Sequence, residues 1–195
     1  MRSPRNGNYD RQTVVSAAVE IFNHHGFDAT SMGLVADLLG VTRGALYHHV
    51  PSKGELLRQA LEPIVAELDD IVRETDRRRE SSSLERLDIV LRKVIAVFID
   101  HLSAATLLLR LRGNTETERQ ALLSYRAVEQ KLHDLVLSCT VEGSLKKEIN
   151  PEVAAHYLIG MVASITDWYG SKAAPSEPQL AEHILVLSFR GLKSP

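Results

Sequence analysis

Residues 29–50 read ATSMGLVADLLGVTRGALYHHV, and two short helices can be recognised in this segment. Apolar residues recur from Met32 to Leu39 at the spacing of a short amphipathic helix. Gly40 ends that helix and supplies the positive φ that a tight turn needs. Thr42 is a good N-cap for a second short helix, which stops before the proline that follows this stretch. Two short helices joined by such a turn predict a helix-turn-helix.

The second helix of this pair has two different sides. At about 100° per residue, Leu46 and Val50 fall on one side and are expected to form its buried face. The outward side carries small or hydrogen-bonding residues, namely Gly44, Ala45, Tyr47 and His48. A face with so little bulk allows the backbone to approach a DNA major groove closely.

Helix signals continue along the rest of the chain, whereas strand signals are nearly absent. Apolar spacing and helix caps predict an all-α fold of about nine helices. The expected helices cover roughly residues 10–25, 32–39, 42–50, 53–79, 84–102, 104–112, 116–142, 151–169 and 177–191. Capping boxes are expected at Ser52–Glu55, Ser82–Glu85, Thr115–Glu118 and Ser176–Gln179.

Pro63 falls inside the fourth expected helix. A proline there removes one backbone hydrogen bond, and its ring clashes with the carbonyl of Gln59. We therefore expect a kink at this point of the helix.

Composition limits the classes of protein that the chain can represent. The 195 residues are 44% hydrophobic and 25% charged, with a net charge of −2, which is typical of a globular protein and not of one that coats nucleic acid. A local DNA-binding patch remains compatible with this charge. The single cysteine has no partner in the chain for an internal disulfide. The N-terminus does not have the pattern of a signal peptide. The longest apolar runs fall far short of the ~20 residues that span a bilayer. We expect a cytoplasmic protein with no membrane partner.

The segment from Arg11 to Leu57 resembles the DNA-binding domain of the TetR family of transcriptional regulators. The resemblance is carried by Ala18, Phe22, Gly26–Phe27, Ala29–Ser31, Val35–Ala36, Gly40–Thr42, Gly44, Leu46–His49, Ser52–Lys53 and Leu56–Leu57. It implies a three-helix DNA-binding domain over residues 1–52. It also implies a larger helical domain over residues 53–195 that binds a small effector and forms a dimer.

The resemblance also implies DNA contacts position by position. Family positions that hold phosphates match Thr30, Thr42, Tyr47, His49 and Lys53. Family positions that approach base edges match Arg43, Gly44, Ala45 and His48. Tyr47 also fits the role of a core aromatic residue. Arg2, Arg5 and Arg11 could form a basic N-terminal arm along the DNA backbone or in the minor groove.

Five residues of the larger domain are candidates for effector binding: Arg110, Arg112, Tyr125, Tyr157 and Trp168. A cavity lined by these residues suits a long apolar molecule with an anionic end. The two arginines also fit a solvated surface or a dimer interface. A looser resemblance links the chain to family members that sense acyl-coenzyme A thioesters, and it is carried by Val141–Ser144, Asn150–Pro151, Gly160–Met161 and Trp168–Tyr169.

The family resemblance implies a homodimer through the last two helices. These helices carry small residues that allow close helix approach, namely Gly160, Ala163 and Ser164. They also carry apolar residues on a second face, namely Ile184, Leu187 and Leu192. Core packing within one chain explains the same residues equally well.

The sequence contains no signature of catalysis, so neither an enzyme nor a cofactor is expected. Cys139 lies on an apolar stripe and is expected to be a small buried side chain. Adjacent histidines, His24–His25 and His48–His49, point about 100° apart and do not converge on a metal ion.

Together these features predict a homodimeric repressor that binds a palindromic operator. A small, largely apolar effector releases it, and an acyl-coenzyme A thioester is the candidate. We further expect the kink at Pro63 to help transmit effector binding to the DNA-binding domain. Two alternatives remain: an activator of the same architecture, and a small all-α ligand carrier or enzyme without DNA binding.

Overall fold

The computed structural model describes residues 10–77, 81–169 and 176–190, and within these ranges it contains ten α-helices and no strand. The prediction of an all-α fold is therefore confirmed. The helices are α1 (Arg11–His25), α2 (Met32–Leu39), α3 (Arg43–His49), α4 (Lys53–Arg77), α5 (Ser83–Asp100), α6 (Leu102–Arg110), α7 (Glu116–Val141), α8 (Pro151–Ala163), α9 (Ile165–Trp168) and α10 (Glu177–Arg190). No helix in the described residues is both long and apolar enough to cross a membrane.

The expected eighth helix is divided in two at Ser164. The Ser164 hydroxyl donates to the Met161 carbonyl at 2.7 Å, and the Thr166 hydroxyl donates to the Ala163 carbonyl at 2.9 Å. Such side-chain bonds to carbonyls three residues earlier compete with the regular helical pattern. The helix count therefore rises from about nine to ten.

The chain forms two compact units. The first comprises the described residues of Met1–Pro63 together with Ser103–Leu122, and the second comprises those of Ile64–Leu102 together with Leu123–Pro195. The predicted functional boundary between residues 52 and 53 lies inside the first unit and stays a prediction, because compactness alone assigns no function.

In the first unit, α1, α2 and α3 pack against one another. Apolar residues spaced three to four apart bury one face of α1, and the rings of Phe22 and Phe27 meet edge to face with centroids 5.1 Å apart. From Ser103 onward, helix α6 also belongs to this unit, and hydrogen bonds join it to α1. The Asn23 amide donates to the Ser103 carbonyl at 2.8 Å, and the Arg110 guanidinium donates to the Asn23 carbonyl at 3.0 Å.

In the second unit, α5 packs against α8, α9 and α10. Apolar residues three or four positions apart are buried along α5 and α7: Leu87, Leu91, Val94, Phe98, Val128, Leu132, Leu135 and Cys139. The burial prediction for Cys139 is confirmed, and burial raises the pKa of its thiol to about 11. The side chain is therefore a small hydrophobic group of the core.

Two of the four expected capping boxes form completely, at Ser82–Glu85 and Thr115–Glu118. At Ser52–Glu55 the serine hydroxyl accepts the Glu55 N–H at 3.0 Å, while the Glu55 carboxylate binds Arg58 and Gln59. A salt bridge within the helix thus replaces half of the box.

Helix α4 continues through Pro63, whose side chain is exposed. The boundary between the two compact units falls directly after this residue. The kink expected at Pro63 stays a prediction.

Candidate nucleic-acid interface

The turn between α2 and α3 has the conformation that the sequence predicts. Gly40 adopts φ 67° and ψ 28°, which is the left-handed region. The Gly40 N–H donates to the Asp37 carbonyl at 3.2 Å, and the Val41 N–H donates to the Ala36 carbonyl at 3.0 Å. This pattern ends α2, redirects the chain and pairs the Ala36 and Asp37 carbonyls.

Helix α3 presents one buried and one open side, as predicted. Leu46 and Val50 are 0% exposed and anchor the helix in the first unit. Tyr47 is 49% exposed, which excludes the alternative that it is a core aromatic residue. Three further residues expected on the outward side are exposed as well: Gly44, Ala45 and His48.

Thr42 and Thr30, both predicted to hold phosphates, have different surroundings. The exposed Thr42 is the N-cap of α3, and its hydroxyl oxygen accepts the Ala45 N–H at 3.1 Å. Thr30 is only 1% exposed. Its hydroxyl donates to the Gly26 carbonyl at 2.7 Å, and its N–H donates to the Phe27 carbonyl at 3.2 Å. Both Thr30 donors are thus used inside the protein.

Lys53, the first residue of α4, is directed to the loop between α1 and α2. Its Nζ donates to the Phe27 carbonyl at 2.9 Å and to the Asp28 carbonyl at 3.3 Å. The same ammonium lies 4.4 Å from the centroid of the Phe27 ring. Since a lysine ammonium has three donors, one donor is left for a phosphate.

The remaining predicted DNA contacts lie at the two ends of α3. Arg43 is exposed on the first turn, and His49 is half-buried on the last turn, with its ring centroid 5.8 Å from that of His48. Within residues 10–77, 81–169 and 176–190, no three His, Cys, Asp or Glu side chains are grouped so as to hold a metal ion.

A cluster around Glu55 is a feature that the sequence analysis missed. Its carboxylate accepts from Arg58 at 2.8 Å, and these hydrogen bonds, together with one from Gln59, lower the pKa of Glu55 to about 2. Arg11 donates to the Gln59 side chain at 2.8 Å, so this arginine is held on α4. Arg2 and Arg5 of the expected basic arm lie outside the described residues.

The five effector candidates are distributed over both compact units. Arg110 and Arg112 are exposed in the first unit, and Arg110 binds the end of α1. In the second unit, Tyr125 is half-buried with its ring centroid 6.4 Å from that of Phe98, and burial raises the pKa of its hydroxyl. Tyr157 is 71% exposed and Trp168 is 43% exposed. Of the three aromatic residues, Tyr125 is the least exposed.

An open groove of about 520 Å³ lies between α7 and α8 in the second unit. Its lining is mostly charged or polar: Arg126, Glu129, Gln130, His133, Glu152, Ala155 and His156. None of the five effector candidates contributes to this groove.

Helices α8 and α10 leave apolar side chains uncovered. Val153 and Tyr157 on α8 and Leu187 on α10 are each more than 40% exposed. A Cβ at Gly160 would meet no atom within 4 Å, so the backbone of α8 is open to a neighbour there. Leu192, expected at the same interface, lies outside the described residues.

Comparison with known proteins agrees with this geometry. The profile of the bacterial regulatory proteins of the tetR family matches residues 14–60, and that of the tetracyclin repressor-like C-terminal domain matches residues 80–192. The chain is 26% identical over 187 residues to the HTH-type transcriptional repressor KstR2 of Rhodococcus jostii (strain RHA1), covering 95% of this chain and 92% of that relative.

Two solved structures are similar over all or most of the chain. SCO3833, a TetR-family regulator from Streptomyces coelicolor A3, is similar with a TM-score of 0.85 and 32% identity, and both chains are covered completely. AibR, solved in complex with isovaleryl coenzyme A and operator DNA, shares the fold with a TM-score of 0.71 and 21% identity, over 92% of this chain and 97% of that one. This chain therefore belongs to the tetR family of bacterial regulatory proteins.

Proposed function

We propose that this protein is a homodimeric repressor that binds a palindromic operator and is released by a small, largely apolar effector. The observation that carries the proposal is the structure of α3. Its buried side is fixed by Leu46 and Val50, while Tyr47 and His48 stay exposed beside a glycine and an alanine. A short helix with one small, open, hydrogen-bonding side suits entry into a major groove.

Two copies of α3 are needed for useful specificity, since one helix reads only a few base pairs. The exposed apolar residues of α8 and α10 support a dimer through these helices. Tyr157 and Leu187 would become buried there, and Gly160 leaves room for close helix approach. In such a dimer the two copies of α3 must lie about 34–36 Å apart to enter successive major grooves.

The effector site that we propose lies in the apolar interior of the second unit, beside Tyr125. The Tyr125 ring lies beside that of Phe98, and its hydroxyl can orient one polar group of an otherwise apolar ligand bound there. An acyl-coenzyme A thioester is our candidate. The looser sequence resemblance to acyl-coenzyme A sensors supports this ligand class. AibR, a protein of the same fold that was solved with isovaleryl coenzyme A and operator DNA, supports the ligand class as well, but not release from DNA.

The first experiment measures fluorescence anisotropy of duplex DNA from upstream of the protein's own gene, titrated with the purified protein at several salt concentrations. We expect the operator to bind about 10³-fold or more tightly than scrambled DNA, with an affinity that falls as salt increases. If the two duplexes bind equally and weakly, selection from random duplexes follows. Failure to enrich any sequence would contradict the proposal and favour a ligand carrier.

The effector is tested on the preformed complex of protein and operator. Isovaleryl-coenzyme A and a long-chain acyl-coenzyme A are added in parallel, with free coenzyme A as the control. Release by a thioester but not by free coenzyme A supports the acyl-coenzyme A proposal. Complete release requires the effector to prefer the DNA-free state by about 10⁴-fold. A complex that resists every thioester would contradict this choice of effector and leave the DNA-binding proposal intact.

A further inference from the structure

Gly33 occupies a place in α2 where glycine has no backbone role. It is the second residue of Met32–Leu39, and it is absent from the glycines that adopt positive φ. Glycine is, after proline, the least favourable residue inside a helix. Its presence at this position therefore calls for a reason other than backbone conformation.

The space that a side chain would occupy at Gly33 is filled by the guanidinium of Arg43. A Cβ built at Gly33 would lie 2.7 Å from Nη2, 3.0 Å from Cζ and 3.1 Å from Nε of that arginine. These distances are shorter than ordinary van der Waals contacts, so any larger residue must displace the guanidinium. Gly44 is different, because a Cβ there would meet no atom within 4 Å.

Arg43 is the first residue of α3 and is exposed. Residues at the N-terminal end of a recognition helix are those that reach base edges. A guanidinium has a planar set of donors that matches the N7 and O6 acceptors of guanine, and this geometry requires a defined approach. A side chain that already lies in one place loses less freedom when it binds.

We propose that Gly33 is a positioning residue for base recognition: the absence of its side chain lets the Arg43 guanidinium rest on α2 and sets its approach to a guanine. This inference rests on the proposed function, since it assumes that α3 reads an operator. Gly33 itself contributes no side-chain contact to DNA. It acts through the direction in which the Arg43 side chain projects from the protein surface.

The test uses the full-length protein and an operator selected from random duplexes with the wild type. Anisotropy gives the Kd for that operator and for its single-base variants. Four proteins are compared: wild type, Gly33→Ala, Arg43→Ala and the double variant. Asp37→Ala, an exposed substitution on the same helix, is the control for altered charge and helix propensity.

We expect Arg43→Ala to remove the preference for one base pair in each half-site. Gly33→Ala should reduce the same preference by roughly tenfold, and it should have no further effect in the Arg43→Ala background. Its melting temperature should equal or exceed that of the wild type, because alanine favours the helix and only the end of a flexible side chain must move. Asp37→Ala should leave base preference unchanged.

Two results would overturn the inference. One is a Gly33→Ala variant that keeps the full base preference of the wild type. The other is an equal loss of affinity for all sequences that persists in the Arg43→Ala background, which would mean that Gly33 provides clearance for the DNA backbone. A wild type with no sequence preference at all would instead refute the proposed function, and the two failures are therefore distinguishable.

Discussion

The Nζ atom of Lys53 lies 2.9 Å from the carbonyl oxygen of Phe27 and 4.4 Å from the centroid of its ring. One ammonium thus binds both the backbone and the aromatic face of a residue in the loop between α1 and α2. The start of α4 is held on this loop, next to the helices that form the candidate DNA interface. Lys53 therefore links the stability of the first unit to its proposed phosphate contact.

Replacement of Lys53 by alanine should affect both properties. We expect a loss of about 1–2 kcal/mol in the free energy of unfolding, because a cation–π contact and charge-assisted hydrogen bonds disappear. If the remaining donor binds a phosphate, the slope of log K against log salt should fall by about one. Urea unfolding and salt-dependent anisotropy measure the two effects. Lys53→Arg, which keeps the charge, is the control, and an unchanged slope in Lys53→Ala would refute the phosphate contact.

Substitution of Thr30 by valine should lower the stability of the fold, and any weaker DNA binding should follow from that lower stability. Valine keeps the shape but leaves the Gly26 carbonyl without the Thr30 hydroxyl, so we expect a loss of about 1 kcal/mol. Serine keeps the hydroxyl and is the matched control for the hydrogen bond. Thermal melts and operator titrations at a temperature where both variants are folded separate the effects. A tenfold weaker operator affinity at unchanged stability would show a direct contact instead.

Acid should weaken the first unit through Glu55. Arg58 and Gln59 hold the pKa of Glu55 at about 2, below its usual 4.5. A carboxylate with a lowered folded-state pKa contributes stability above its unfolded pKa, and this contribution disappears as the pH falls from about 4.5 towards 2. The urea midpoint of the wild type should therefore drop over this range more than that of Glu55→Gln. If the urea midpoints of the two proteins fall in parallel as the pH is lowered, Glu55 is not the source of this acid sensitivity.

Replacement of Leu187 by arginine should disrupt the proposed dimer. Leu187 is 41% exposed on α10, so the fold of one chain should tolerate the change, while a charge buried between two copies is costly. Sedimentation should show monomers, and operator affinity should fall by at least about 10², because one helix-turn-helix reads too few base pairs. Leu123→Arg, at a residue that is 54% exposed on α7, is the matched control. A Leu187→Arg protein that stays dimeric would place the interface elsewhere.

Pro63→Ala tests the expected kink in α4. Alanine restores a donor to the Gln59 carbonyl and removes the ring, so the helix should straighten. If the kink transmits effector binding, the variant should change both the operator affinity and the release by acyl-coenzyme A thioesters. Anisotropy with and without the thioester measures both. Identical values in wild type and variant would show that the kink is incidental.

Features set by neighbouring residues were predictable from the sequence. The turn at Gly40 and the buried pair Leu46 and Val50 depend on glycine conformation and helical periodicity, and both are found as expected. The break at Ser164 was missed because serine hydroxyls within a helical pattern either face solvent or bind nearby carbonyls. Only the folded chain shows which of the two occurs.

Contacts between residues distant in sequence were not predictable. Lys53 lies 26 positions after Phe27, and no local pattern indicates that its ammonium turns inward. Tyr157 also illustrates this limit. Its aromatic type suggested a ligand pocket, but its 71% exposure places it on an outer face of α8. Periodicity identifies an apolar face without identifying what covers it.

The burial of Cys139 makes this protein well suited to distance measurements. The chain has one cysteine, and it is 0% exposed with the pKa of its thiol near 11, so thiol reagents at neutral pH should leave it unmodified. A cysteine introduced at the exposed Asp37 would then carry a spin label alone, without removal of any native thiol. In a dimer, the separation of two such labels reports the spacing of the DNA-binding helices, and its change on adding an acyl-coenzyme A measures induction directly as a distance.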